Sequence, residues 1–133
     1  QYVPAFVSAL NTYLRQDLKV ALDNPYEAIA FRTVNARWDY GYGPGVPMRR
    51  NFGEDLGIAM RRNPGMKLMV GTGYFDLVTT IGSAEYTVRH SGIPLEMTRF
   101  TYYKSGHMPY LGDETRRELA ADVRAFIRGE TAR

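Results

Sequence analysis

Two short apolar segments, separated by one capped helical stretch, constrain this chain more than any other feature. Lys67-Leu68-Met69-Val70-Gly71 is an apolar run closed by glycine, and it fits a strand buried on both faces. Phe100-Thr101-Tyr102-Tyr103 is a second strand candidate, followed by a glycine-containing loop. Between them, Thr79 or Thr80 is placed to cap a helix running to about His90, with Gly92 just past its end. A last helix begins at Asp113, read as its N-cap, with Glu114 at the positive end of the dipole. Leu119, Val123, Phe126 and Ile127 are expected to form its buried stripe, and Arg128 and Gly129 mark its end. Strand, helix, strand, helix is one βαβ unit with a following helix, so the two strands are expected to be parallel. The expected class is α/β.

A two-stranded parallel sheet is not expected to stand alone, because both faces and both edges need cover. Upstream, Pro4 suits a first helical turn, and Phe6, Val7, Leu10, Tyr13, Leu14, Leu18, Ala21 and Leu22 recur at helical spacing until Asp23-Asn24-Pro25. Residues 26–34 read either as a short helix or as an extended piece. Residues 38–47 hold Gly41, Gly43, Pro44, Gly45 and Pro47, the composition of a loop, with Trp38 among its aromatic side chains. A second helix is expected over 53–62, with Leu56, Ala59 and Met60 on one face and Asn63-Pro64-Gly65 as its stop. Residues 1–62 are therefore expected to be a mainly helical region and 63–133 the βαβα part. Either residues 26–34 supply a third strand, or polypeptide outside these 133 residues completes the sheet.

The apolar fraction of 44% and charged fraction of 23% are ordinary for a globular domain and argue against a disordered tail. The chain has no Cys, which excludes a thiol nucleophile and a cysteine zinc site. Its apolar runs fall far short of the roughly 20 residues of a membrane-spanning helix. No signal peptide is visible, and a compartment is not fixed by these residues. The net charge of +3 comes largely from Arg, including Arg49-Arg50 and Arg61-Arg62. These cations are spread along the chain and sit beside loop residues, so they read as solvated surface and not as a nucleic-acid footprint.

The carboxyl ends of parallel strands are where open α/β sheets place functional groups. Two loops follow the two strands here: Gly71-Thr72-Gly73-Tyr74-Phe75-Asp76 and Lys104-Ser105-Gly106-His107-Met108-Pro109-Tyr110. Adjacent parallel strands bring such loops together, so Asp76 and His107 are candidates for a dyad. The Asp would fix the imidazole tautomer, and the His would act as general base and acid. Taken singly, Asp76 also suits a turn and His107 a loop hydrogen bond. Gly71-Thr72-Gly73 does not continue into a dinucleotide fingerprint, because Asp76 stands where the third glycine belongs. His90 has no ligand-spaced carboxylate partner, so neither metal nor cofactor is expected. A nucleophile is also missing. Ser8, Ser83, Ser91 and Ser105 are the only serines, and none lies in Gly-x-Ser-x-Gly.

Several stretches resemble one known family. They are Ala59-Met60-Arg61-Arg62-Asn63-Pro64, Gly73-Tyr74-Phe75-Asp76-Leu77, Ala84-Glu85-Tyr86-Thr87 and Tyr102-Tyr103-Lys104-Ser105-Gly106-His107-Met108. Residues 52–127 resemble the C-terminal end of the serine carboxypeptidases, especially shorter bacterial members. Ala9-Leu10-Asn11-Thr12-Tyr13-Leu14 and Arg37-Trp38-Asp39-Tyr40 look like the part just upstream. The resemblance implies an α/β-hydrolase fold and a Ser-Asp-His triad whose last two members are Asp76 and His107. It implies that Met108 faces substrate, with Trp38 a further substrate-side candidate. Val-Pro follows Gly-His-Met in the better-known eukaryotic members. Pro109-Tyr110-Leu111 follows here, which bears on substrate preference more than on the triad.

The family's nucleophile motif and oxyanion glycines lie upstream of the matching stretches. The expectation is therefore the C-terminal part of a larger peptidase, with the serine on a preceding region or a separate chain. Gln1, which is not an initiator Met, fits a processed or cut chain. The implied partners are a peptide substrate, the missing region and, through the open sheet edge, further copies of the chain. The resemblance favours a periplasmic or secreted protein. Two alternatives stand beside it: an esterase or acyltransferase using the same Asp and His, and a non-catalytic interaction module that kept a hydrolase-like fold.

Overall fold

The structure, a computed structural model, describes residues 2–21, 23, 30–41, 43–44 and 51–130. It divides into two units, residues 1–50 and 51–133. In the first unit, helix α1 spans Val3–Thr12, with Pro4 in its first turn. It passes into a π-helical turn over Tyr13–Asp17, and Lys19 then takes a left-handed φ of 53°. The helix therefore stops well before the expected Asp23-Asn24-Pro25. A π turn also advances the side chains out of the three-and-four spacing that Tyr13, Leu14 and Leu18 suggest. Leu22 and residues 24–29 lie outside the described residues. The described end of the ambiguous stretch, Phe31–Asn35, is another π-helical turn and not a strand.

The loop expected over 38–47 is present in its described part. Asp39 Oδ1 accepts from the backbone N–H of Gly41 at 2.7 Å and Gly43 at 3.1 Å. Both glycines have positive φ, 95° and 101°, and Asp39 bridges Pro44.

In the second unit, α2 (Phe52–Arg62) leads into β1 (Leu68–Gly73), α3 (Ile81–His90), β2 (Thr98–Tyr103) and α4 (Asp113–Arg128). The two strands are parallel, in register from Leu68 opposite Thr98 to Gly73 opposite Tyr103. The class is α/β, and the described residues contain no third strand. Helix α2 belongs with the sheet and not with the upstream helices. Its Met60 is buried with Val88 and Ile93, and Leu56, Leu68, Val70, Met97 and Phe100 pack around them. Gly53 and Gly57 let α2 approach the end of α3, since a Cβ on Gly57 would collide with the Ser91 carbonyl oxygen. Asn51 caps α2 by accepting from Gly53 N–H, and its amide also bonds the Ser91 hydroxyl. Thr80 caps α3, and Gly92 beyond it has φ 64°.

Three expectations need correction. First, β1 runs on through Gly73, so Gly71, Thr72 and Gly73 are strand and not loop. It is also only half-buried over Leu68–Val70 and not buried on both faces. Second, Gly112 and not Asp113 is the N-cap of α4. Thr115 serves the turn instead, its hydroxyl donating to the Pro109 carbonyl at 2.6 Å. Third, the α4 stripe is not buried as a whole: Ile127 is 76% exposed and Val123 38%. Gly129 closes α4 in the left-handed region, with φ 72°.

Candidate active site

The site is built by two backbones that touch. β1 and β2 end side by side, and Tyr74 N–H donates to the Tyr103 carbonyl at 2.9 Å. One residue on, Phe75 N–H donates to the Ser105 carbonyl, also at 2.9 Å. The loops thus stay paired past the strands. Gly73 makes this possible: a Cβ there would strike the carbonyl oxygens of Ser105 and Gly106. The glycine therefore serves strand-to-loop contact.

This pairing brings Asp76 against His107, with Nδ1 2.9 Å from Oδ2. The Asp76 side chain is nearly buried, at 5% exposure, and the His107 side chain is 56% exposed. Asp76 also fulfils the turn role open to it. Its Oδ1 accepts from the backbone N–H of Val78 at 2.8 Å and Thr79 at 3.0 Å. The turn consumes one carboxylate oxygen and leaves Oδ2 for the imidazole. The Thr79 hydroxyl donates to that same Oδ2 at 2.6 Å. The Thr79 hydroxyl bond, then the His107 bond and the two backbone donors, hold the Asp76 carboxyl well below the ordinary carboxylate range and outweigh its burial.

An ionised carboxylate only accepts hydrogen bonds, so the proton between Asp76 and His107 belongs to Nδ1. Nε2 then carries the free lone pair. Among the described residues it has no hydrogen-bond partner. An exposed Nε2 backed by a fixed carboxylate is the arrangement a general base needs.

Met108 is half-buried beside His107. Both line an open cleft of about 470 Å³, bounded by Lys104, Leu111 and the first turn of α4. Trp38 lies in the first unit and is 59% exposed. Three serines have local roles. The Ser91 hydroxyl is tied to Asn51, Ser83 donates to the Thr80 carbonyl, and Ser105 donates to the Gly106 carbonyl. Ser8 lies on α1 of the first unit. The described residues contain no metal-holding cluster. No helix among them is long and apolar enough to cross a membrane.

Thr79 escapes a reading for motifs, because a threonine next to a helix start suggests a cap. The available signal is its spacing: a hydroxyl three residues after an Asp can return to the carboxylate in an Asx-type turn. Compared with known proteins, the chain matches no family model, no curated protein and no solved structure.

Proposed function

We propose that this chain is the C-terminal region of a serine carboxypeptidase-like peptidase, contributing the Asp and His of a triad. The observation that carries the reading is the 2.9 Å contact between Asp76 Oδ2 and His107 Nδ1 at the ends of adjacent parallel strands, with Nε2 open. The order Asp then His, on successive strand-end loops, supports an α/β-hydrolase arrangement. The motif resemblance narrows it to the carboxypeptidases.

In this reading, a serine on polypeptide outside these 133 residues gives its proton to His107 Nε2 as its oxygen attacks the scissile carbonyl. The imidazolium, stabilised by Asp76, returns that proton to the leaving amine, and water then releases the acyl group by the same steps. Met108 and the adjoining cleft would hold part of the peptide.

A serine-directed fluorophosphonate probe tests the division of labour. The isolated chain should stay unlabelled, and stoichiometric labelling would overturn the assignment of the nucleophile to another region. In a full-length enzyme carrying this chain, His107→Ala should lower kcat by about four to six orders of magnitude. Near-normal turnover would remove His107 from the triad. Turnover of simple esters with none of C-terminally free peptides would favour the esterase alternative.

A further inference from the structure

We infer that Thr79 is a positioning residue of the dyad: its hydroxyl holds Asp76 Oδ2 and keeps the His107 proton on Nδ1, leaving Nε2 free. The inference rests on the proposed dyad and concerns how its tautomer is set.

Thr79 Oγ1 is 2.6 Å from Asp76 Oδ2 and 3.3 Å from His107 Nδ1. A hydroxyl has one proton to donate. The short contact to an ionised carboxylate claims that proton, so Oγ1 can only present lone pairs to Nδ1. Nδ1–H then faces two acceptors, Oδ2 at 2.9 Å and Oγ1 at 3.3 Å, and no donor competes for the site. The tautomer protonated on Nε2 would set the Nδ1 lone pair against Oδ2, and Thr79 could donate to Nδ1 only by giving up its 2.6 Å bond to the carboxylate. The hydroxyl thus disfavours the wrong tautomer through a second acceptor, and it stops Oδ2 from swinging away from the ring.

The hydroxyl is separable from the turn. Thr79 also donates its backbone N–H to Asp76 Oδ1 at 3.0 Å. Thr79→Val keeps that bond and the side-chain shape and removes only the hydroxyl. Thr79→Ser keeps the hydroxyl and removes a methyl. A purely structural Thr79 would tolerate valine at least as well as serine, whereas a positioning Thr79 requires the reverse.

The test is long-range ¹H–¹⁵N correlation of the His107 ring in the labelled 133-residue chain, at a pH where the ring is neutral. The wild type should show mainly the Nδ1–H form. Thr79→Val should lower the ratio of Nδ1–H to Nε2–H form by about five- to tenfold, the factor one ordinary hydrogen bond sets. Thr79→Ser should restore it. An unchanged ratio in folded Thr79→Val overturns the inference. Should the valine variant not fold, the wild type decides: a slowly exchanging Thr79 hydroxyl proton close to the His107 ring supports the inference, and its absence overturns it. The two proposals fail separately. A shifted tautomer in Thr79→Val together with a wild-type full-length enzyme that has no peptidase activity would sink the peptidase reading alone. An unchanged tautomer in an active enzyme would sink only the role of Thr79.

Discussion

The two faces of the parallel sheet are closed by different chemistry. Register pairs Leu68 with Thr98 and Val70 with Phe100 on one face, under α2 and α3. The cover there is hydrocarbon: Met60, Val88 and Ile93, with Leu56 and Met97 around them. The other face carries Arg99, Thr101 and Tyr103 on β2, under α4. There the cover is polar. The Tyr103 hydroxyl donates to Asp122 Oδ2 at 3.0 Å and contacts the Thr101 hydroxyl at the same distance, while Arg99 pairs with Asp122 at 3.4 Å. The Tyr103 ring lies across Gly71, where a Cβ would sit 3.2 Å from it. The hydrocarbon face fills space without fixing direction. The polar face ties α4 to the residue that immediately precedes the His107 loop, so it sets where that loop begins.

The largest effect should come from the hydrocarbon face. Met60 is 2% exposed at the centre of the α2 contact, and Met60→Ala should destabilise by about 2–5 kcal/mol. Denaturant unfolding measures this. A loss under about 1 kcal/mol would mean that α2 is not part of the folding core, and the contrast between the faces would lose its stronger half.

The polar face comes next. Tyr103→Phe keeps the ring over Gly71 and removes the hydroxyl, and should cost about 1–2 kcal/mol at neutral pH. Its signature is pH dependence. Burial, first of all, and the Asp122 carboxylate push the Tyr103 phenol up to about 12 from its ordinary 10. A phenol raised on folding contributes stability that is complete below pH 10 and is lost as pH climbs from 10 towards 12. Tyr103→Phe should flatten that alkaline limb.

The neighbouring Tyr102 gives the control on the opposite face. Its phenol is also raised to about 12, chiefly by its 2.6 Å bond to Glu85. It is 37% exposed, however, and water screens the pair. Tyr102→Phe should change the alkaline limb less than Tyr103→Phe. The reverse order would mean that the outer pair, and not the buried network, holds the strand end.

The same contrast explains what the residues reveal before any coordinates. Apolar spacing exposes the hydrocarbon face through Leu56 and Met60 on α2, the Lys67–Gly71 run exposes β1, and the strand-helix-strand succession gives the parallel order and brings the loops of Asp76 and His107 together. Polar closure leaves no periodic trace. Asp122 and Arg99 look like solvated charge, Tyr103 like one tyrosine among ten, and Thr79 like a cap. Gly57 and Gly73 are equally silent, because their role is to let another backbone approach, and the approaching backbone is distant in sequence. The corrected N-cap of α4 belongs here too. Asp113 has the right residue type, but Gly112 is the cap position and Thr115, not Asp113, bonds back across the turn to Pro109.

The smallest predicted effect tests whether the apolar stripe of α4 is as open as it looks. Along α4, Leu119 and Phe126 turn partly inward, while Val123 and Ile127 remain exposed on the rest of the apolar stripe. An isoleucine 76% exposed has little burial left to lose, so Ile127→Glu should change unfolding free energy by less than about 0.5 kcal/mol. A loss above about 1.5 kcal/mol would show that the stripe is covered in solution. Light scattering of the wild type and Ile127→Glu then identifies the cover. A wild-type dimer that the glutamate splits into monomers assigns it to a second copy, since a charge forced into an apolar contact opposes association. A monomer in both, with stability unchanged, leaves the stripe free for the polypeptide that the peptidase reading requires. The hydrocarbon face would then be the finished half of this sheet and the α4 face the half still waiting for its partner.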